Sequence, residues 1–120
     1  MPATRQKPNV SAHFTKSAPA VKATYAALVK ASRALGSVHE DPKKTSIHLV
    51  RDAAFAGVAT RKDSLILTLK ADRELAHPRI IRTQHTSANR WHVDIRLTTP
   101  TDVDGELRGW LADAYRLAGK

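Results

Sequence analysis

The chain of 120 residues contains no cysteine, which excludes disulfides, thiolate metal ligands and cysteine nucleophiles together. Its five glycines, Gly36, Gly57, Gly105, Gly109 and Gly119, each stand alone, so no phosphate-cradling loop or dinucleotide fingerprint is present. Aromatics make up 5% of the chain: Phe14, Tyr25, Phe55, Trp91, Trp110 and Tyr115. Tyr25, Trp91 and Trp110 fall on core-facing positions, which leaves too few rings for the stacking platforms that hold single-stranded nucleic acid. No apolar run approaches the roughly 18 residues of a membrane span, and "MPATRQKPNVSAHFTKSAPA" lacks the apolar core of a secretory signal. The expectation is a cytoplasmic protein with no membrane partner.

Acidic residues are the other shortage. Lysine and arginine outnumber aspartate and glutamate by 20 to 11, for a net charge of +9 and a pI near 10.4. A field of that sign favours polyanionic partners, nucleic acid first among them, although a basic chain need not bind one. Met1 to Asp63 carries eleven basic and four acidic residues, whereas Thr101 to Lys120 carries three and four. A basic surface therefore excludes the C-terminal segment.

What is present is one domain's worth of pattern, with 42% hydrophobic and 26% charged residues. Residues 1 to 16 are polar, basic and unpatterned, and read as a flexible arm ahead of a single domain over 17–120. Val21, Tyr25, Leu28, Ala31 and Leu35 recur at helical spacing behind Pro19, and Gly36 supplies a stop, so a helix is expected from about Pro19 to Leu35. Short strands follow. "SVHEDPKK" reads as an edge piece ended by Pro42, and "TSIHLV", "AFAGVAT" and "LILTLKA" as strands, with "RKDS" as a hairpin turn between the last two. "DRELAHPRIIRTQHTSAN" has no clean period and reads as a loop with a short strand near Arg79 to Thr83. "RWHVDIRL" alternates strictly: Trp91, Val93, Ile95 and Leu97 on one face, His92, Asp94 and Arg96 on the other. A final helix is expected after a Thr101 or Asp102 cap, burying Leu107, Trp110, Leu111, Ala114 and Leu117 or Ala118. The fold class is α+β: an N-terminal helix, an antiparallel meander of four to six strands and a C-terminal helix, with both helices on one sheet face.

Candidate chemistry is sparse. His13, His39, His48, His77, His85 and His92 show no ligand spacing, and Asp102, Asp104 and Glu106 are accounted for by a helix N-terminus, so no metal or cofactor is expected. His92 and Asp94 lack a serine in a nucleophile-elbow context, and no catalytic residue is assigned. Two surfaces are left. Lys43, Lys44, Arg61, Lys62, Arg79, Arg82 and Arg96 could contact phosphates of a nucleic acid. His48, Thr68, His92 and Arg96 would line a small-molecule or enzymatic pocket on the sheet face that the helices leave open. Val50, Val58 and Ile66 add apolar area to that face, so a homodimer that closes it is a third arrangement.

The stretch from His13 to Ala118 resembles a small bacterial family of domains of unknown function often labelled "predicted transport protein". The resemblance is carried by "HFTKSAPAV", "KKTSIHLVRDAAFAGVATRKDSLILTLKA", "PRI", "RWHVDIRL" and "DVDGELRGWLADAYRLA", above all by Phe55 with Arg61 and Lys62, His92, and Trp110 with Ala114 and Tyr115. It implies a module found alone or attached to other domains, endonuclease-like ones included, and it implies no catalytic residue. The transport label has no membrane segment to stand on. The resulting expectation is a non-catalytic binding or accessory module with a basic surface, nucleic acid being its favoured partner.

Overall fold

The structure, a computed structural model, describes residues 9–119. Two helices, α1 (Pro19–Arg33) and α2 (Gly105–Leu117), bracket six strands: β1 (His39–Pro42), β2 (Ile47–Val50), β3 (Ala54–Thr60), β4 (Leu65–Ala71), β5 (Ile80–Ser87) and β6 (Arg90–Leu97). Short 3-10 turns precede them at Ser11–Phe14 and α2 at Pro100–Asp102. The strands form one antiparallel sheet in the order β1-β2-β3-β4-β6-β5. Among the described residues no helix is long and apolar enough to cross a membrane.

Alternation decides which face is buried. Ile47, Leu49, Val58, Leu65, Leu67, Leu69, Val93, Ile95 and Leu97 point to the helices and are 0–1% exposed, while the residues between them remain partly open. Phe55 and Ala56 break the rule by being buried consecutively. They sit where β3 carries one residue more than β2, between the pairs Leu49↔Ala56 and Val50↔Ala54, and this bulge turns both side chains inward. Val21, Leu28 and Tyr25 of α1 and Leu107, Leu111 and Ala114 of α2 complete the same cluster.

The expected meander is corrected at its end, because β4 pairs with β6, and β5 lies outside it. β4 and β5 then run in the same direction, so the segment 72–79 must return along the sheet. It does so on the helix side, laying Leu75 on the core beside Trp110. The expected short strand at Arg79 to Thr83 extends from Ile80 to Ser87 and closes a hairpin with β6. Pairing with β6 supplies the order that its own unpatterned sequence lacks.

Three further expectations change. Residues 1–8 of the expected arm lie outside the described residues, but the rest of it, up to residue 16, is part of the fold. Phe14 is buried with its ring 5.1 Å from that of Tyr25, and Thr60 donates a 2.7 Å hydrogen bond to the His13 carbonyl. One apolar ring among polar neighbours suffices to dock the segment. Helix α1 ends at Arg33, and Gly36 takes a positive φ of 149° where a Cβ would collide with the Tyr115 hydroxyl. The α2 cap is Asp104, whose Oδ1 accepts from the Leu107 amide at 3.0 Å. Asp102 instead ties the preceding turn, accepting from the amides of Thr98 and Thr99 and from the Thr98 hydroxyl at 2.8, 3.1 and 3.0 Å.

Candidate functional site

The sheet face away from the helices is built from the polar half of each alternation. Its central row runs across all six strands in register: Asp41, His48, Gly57, Thr68, Asp94 and Arg82. A second row places Lys70 beside His92 and Gln84, and a third places Ile66 beside Arg96. Sequence alternation assigns these residues to a face; the register makes neighbours of them.

Gly57 lies mid-row and has no side chain. A Cβ built there would stand 3.9 Å from both His48 and Thr68. Strands are spaced about 4.8 Å apart, so the gap between His48 and Thr68 is two strands wide, floored by glycine and flanked by Ala54 and Ala59. The result is a dent of about 310 Å³ walled by Ser46, His48, Thr68, Lys70 and His92. No carboxylate lines it. Two acids flank it in the row: Asp94 accepts the Thr68 hydroxyl at 2.6 Å and is held to the side, and Asp41, beside His48, is paired with Lys43. Lys70, Arg82 and Arg96 form no ion pair among the described residues, and with Asp41 and Asp94 as its acids the face has an excess of basic side chains.

Of the expected pocket residues, His48, Thr68 and His92 meet at the dent, whereas Arg96 lies on the same face beyond it. Lys70 and Gly57 were not foreseen there. Lys70 shares the parity of Thr68 in "LILTLKA", and a lone glycine inside a strand often marks close approach of another group. The register that sets Lys70 beside His92 is not legible in either segment.

The expected phosphate contacts divide into three groups. Lys43 and Lys44 in the β1–β2 turn and Arg61 and Lys62 in the β3–β4 turn share one end of the sheet, since Ile47 at the start of β2 pairs with Val58 near the end of β3. Lys43 is drawn to Asp41 at 2.9 Å, and that hydrogen bond holds the Asp41 carboxyl below its ordinary value. Arg82 and Arg96 lie on the open face. Arg79 belongs to neither group, which corrects its assignment. Its guanidinium reaches Asp104 at 3.0 Å, Glu106 at 3.2 Å and the Asp102 carbonyl at 2.8 Å, locking the returning segment onto the start of α2. Burial disfavours its charge, but the two carboxylates prevail and raise its pKa. A guanidinium so engaged has little left for a phosphate.

The Asp102–Asp104–Glu106 acids are likewise accounted for within the chain. The histidine beside them, His77, accepts from the Arg79 amide at Nδ1 (3.1 Å), so Nε2 bears the proton shared with Glu106 at 2.8 Å. Among the described residues no three His, Asp or Glu side chains gather as metal ligands would.

A family model described as a domain of unknown function, DUF5655, matches residues 10–118. The chain belongs to the DUF5655 family. The match agrees with the resemblance to an uncharacterised domain family and carries neither the transport label nor a bacterial source. It spans α1 through α2, so the open face and the dent lie within the DUF5655 domain itself. No curated protein and no solved structure matches the chain.

Proposed function

We propose that this DUF5655 domain is a non-catalytic binding module that takes a small organic anion, a phosphate or carboxylate on a compact ring, into the dent over Gly57. The observation that carries this reading is the dent's lining: Lys70 and two imidazoles around a glycine floor, with no carboxylate among them. Its volume of about 310 Å³ is at the small end of ligand pockets. Small, mostly apolar floor residues would accept a ring, and Lys70, Ser46 and the histidines would fix the charged end. Binding is favoured over catalysis because the Thr68 hydroxyl is committed to Asp94, and among the described residues no hydroxyl is bonded to His48 or His92.

The test is an NMR titration of labelled protein with inorganic phosphate and with a nucleoside monophosphate. Shifts at His48, Gly57, Thr68, Lys70 and His92, weakened at least tenfold by Lys70→Gln, support the reading. Unmoved resonances at millimolar ligand would refute it.

A second reading, nucleic acid, is favoured by one observation. The Lys43–Lys44 and Arg61–Lys62 turns are neighbours at the end of a face that also bears Arg82 and Arg96. Duplex contact of this kind falls steeply with salt. An oligonucleotide that gives no anisotropy change at low salt and micromolar protein would eliminate it.

A further inference from the structure

The two edges of the sheet are finished differently. β1 is four residues long and ends on Pro42, and its acids are engaged, Glu40 by Tyr25 and Arg33 and Asp41 by Lys43. Proline, short length and charge are the usual guards of an edge. β5 has none of the first two: it is eight residues long, without proline and without an acidic residue. Seven of its eight residues are exposed. Helix α2 packs on β3 and β4; in β5, at the end of the strand order, Ile80 packs on the core and His85 stacks on the Trp91 ring at 4.4 Å, but every residue from Ile81 to Ser87 is exposed. Register shifts at Ile80/Arg82 and His85/Ser87 leave Arg82–His85 as its regular stretch. Alternate residues of that stretch direct their N–H and C=O groups away from β6.

We propose that this edge receives an extended acidic segment of a partner protein as a seventh strand. The outward backbone groups define the shape of the occupant, an extended peptide, and the charge defines its chemistry. Arg82 has no ion pair among the described residues, Arg90 flanks the hairpin, and the chain around them carries +9. A second copy is the poorer occupant. Pairing β5 with itself about Thr83 and Gln84 sets Arg82 opposite His85 and joins two chains of the same high charge, whereas glutamates opposite Arg82 would be attracted. This surface is separate from the dent, so either can fail without the other.

The experiment adds a capped octapeptide alternating glutamate with valine and threonine to labelled protein. The expected result is slowed amide exchange at alternate residues of Arg82–His85, with affinity at least tenfold lower for Arg82→Glu and for the same peptide with lysine in place of glutamate. Because Arg82 is exposed, Arg82→Glu should melt with the parent, which separates lost docking from lost fold. The proposal is overturned if millimolar peptide leaves β5 unchanged, if charge reversal has no effect, or if the response falls at His48 and Thr68 instead. It is also overturned if the same amides are protected in protein alone as it dimerises in sedimentation.

Discussion

Thr68 donates its hydroxyl to Asp94 at 2.6 Å, directly across the β4–β6 junction at which the two halves of the sheet meet. The bond ties the strands together and turns Asp94, the acid beside Thr68 in the central row, aside from the dent. A double-mutant cycle on Thr68→Val and Asp94→Asn should give a coupling of about 0.5–1 kcal/mol in chemical denaturation, the range of a cross-strand polar pair. Asp94→Asn alone should tighten binding of inorganic phosphate severalfold by removing a nearby negative charge, as calorimetry would show; weakened binding would contradict the anion reading.

Two glycines should respond in opposite directions. Gly57→Ala places a Cβ at ordinary contact distance, 3.9 Å from His48 and Thr68. It should stabilise the sheet by about 0.5–1 kcal/mol, as alanine does over glycine within a strand, while shrinking the dent and weakening the ligand. Gly36→Ala meets the Tyr115 hydroxyl at a φ of 149° and should cost about 1–3 kcal/mol. Urea denaturation of both variants checks the pair.

Acid should loosen the start of α2 before the rest of the molecule. The Leu107 amide, followed by Arg79, holds the Asp104 carboxyl below its ordinary 3.8. Burial opposes ionisation of Asp102, but hydrogen bonds from Thr98 and Thr99 outweigh it and hold it below 3.8 as well. Both carboxyls are therefore easier to ionise folded than unfolded. Their stabilisation is fully present above about pH 4 to 5 and disappears as pH falls through the folded values. The difference in melting temperature between the parent and Asp104→Asn should narrow progressively as pH falls below the ordinary carboxylate value of 3.8. A gap that widens on acidification would contradict this.

Arg79→Met should separate structure from surface charge. Asp104 and Glu106 would lose their shared guanidinium while keeping the Leu107 amide and His77, and stability should fall by about 1 kcal/mol, the scale of a partly exposed charge pair. Retention on heparin should stay near that of the parent. Lys44→Gln with Lys62→Gln should do the reverse, eluting at lower salt with an unchanged melt.

How much of this was legible in the sequence depended on whether a signal was local. "RWHVDIRL" and "LILTLKA" announced β6 and β4 residue for residue, because alternation of apolar and polar side chains is written into each strand. Helix α1 was equally clear from its stripe. β5 was not, since a strand exposed on both faces has no alternation to display. Nor was the pairing of β4 with β6, which depends on the returning segment 72–79 packing beside α2. The site followed the same division. His48, Thr68 and His92 could be assigned to the open face by parity, but the dent needed Gly57 and Lys70, which register alone brings to them. Arg79 is indistinguishable in sequence from any surface charge, because its partners Asp104 and Glu106 stand 25 and more residues away.

The placement of β6 between β4 and β5 also orders events at the ribosome. A nascent chain ending at Ser87 already contains β5, yet that strand's partner has not been made. Until Leu97 emerges, the β4 edge stands open and the crossover has no strand beneath it. The strand on which the two halves of the sheet close is the last of the six to be synthesised, so the sheet cannot be completed before β6 is available.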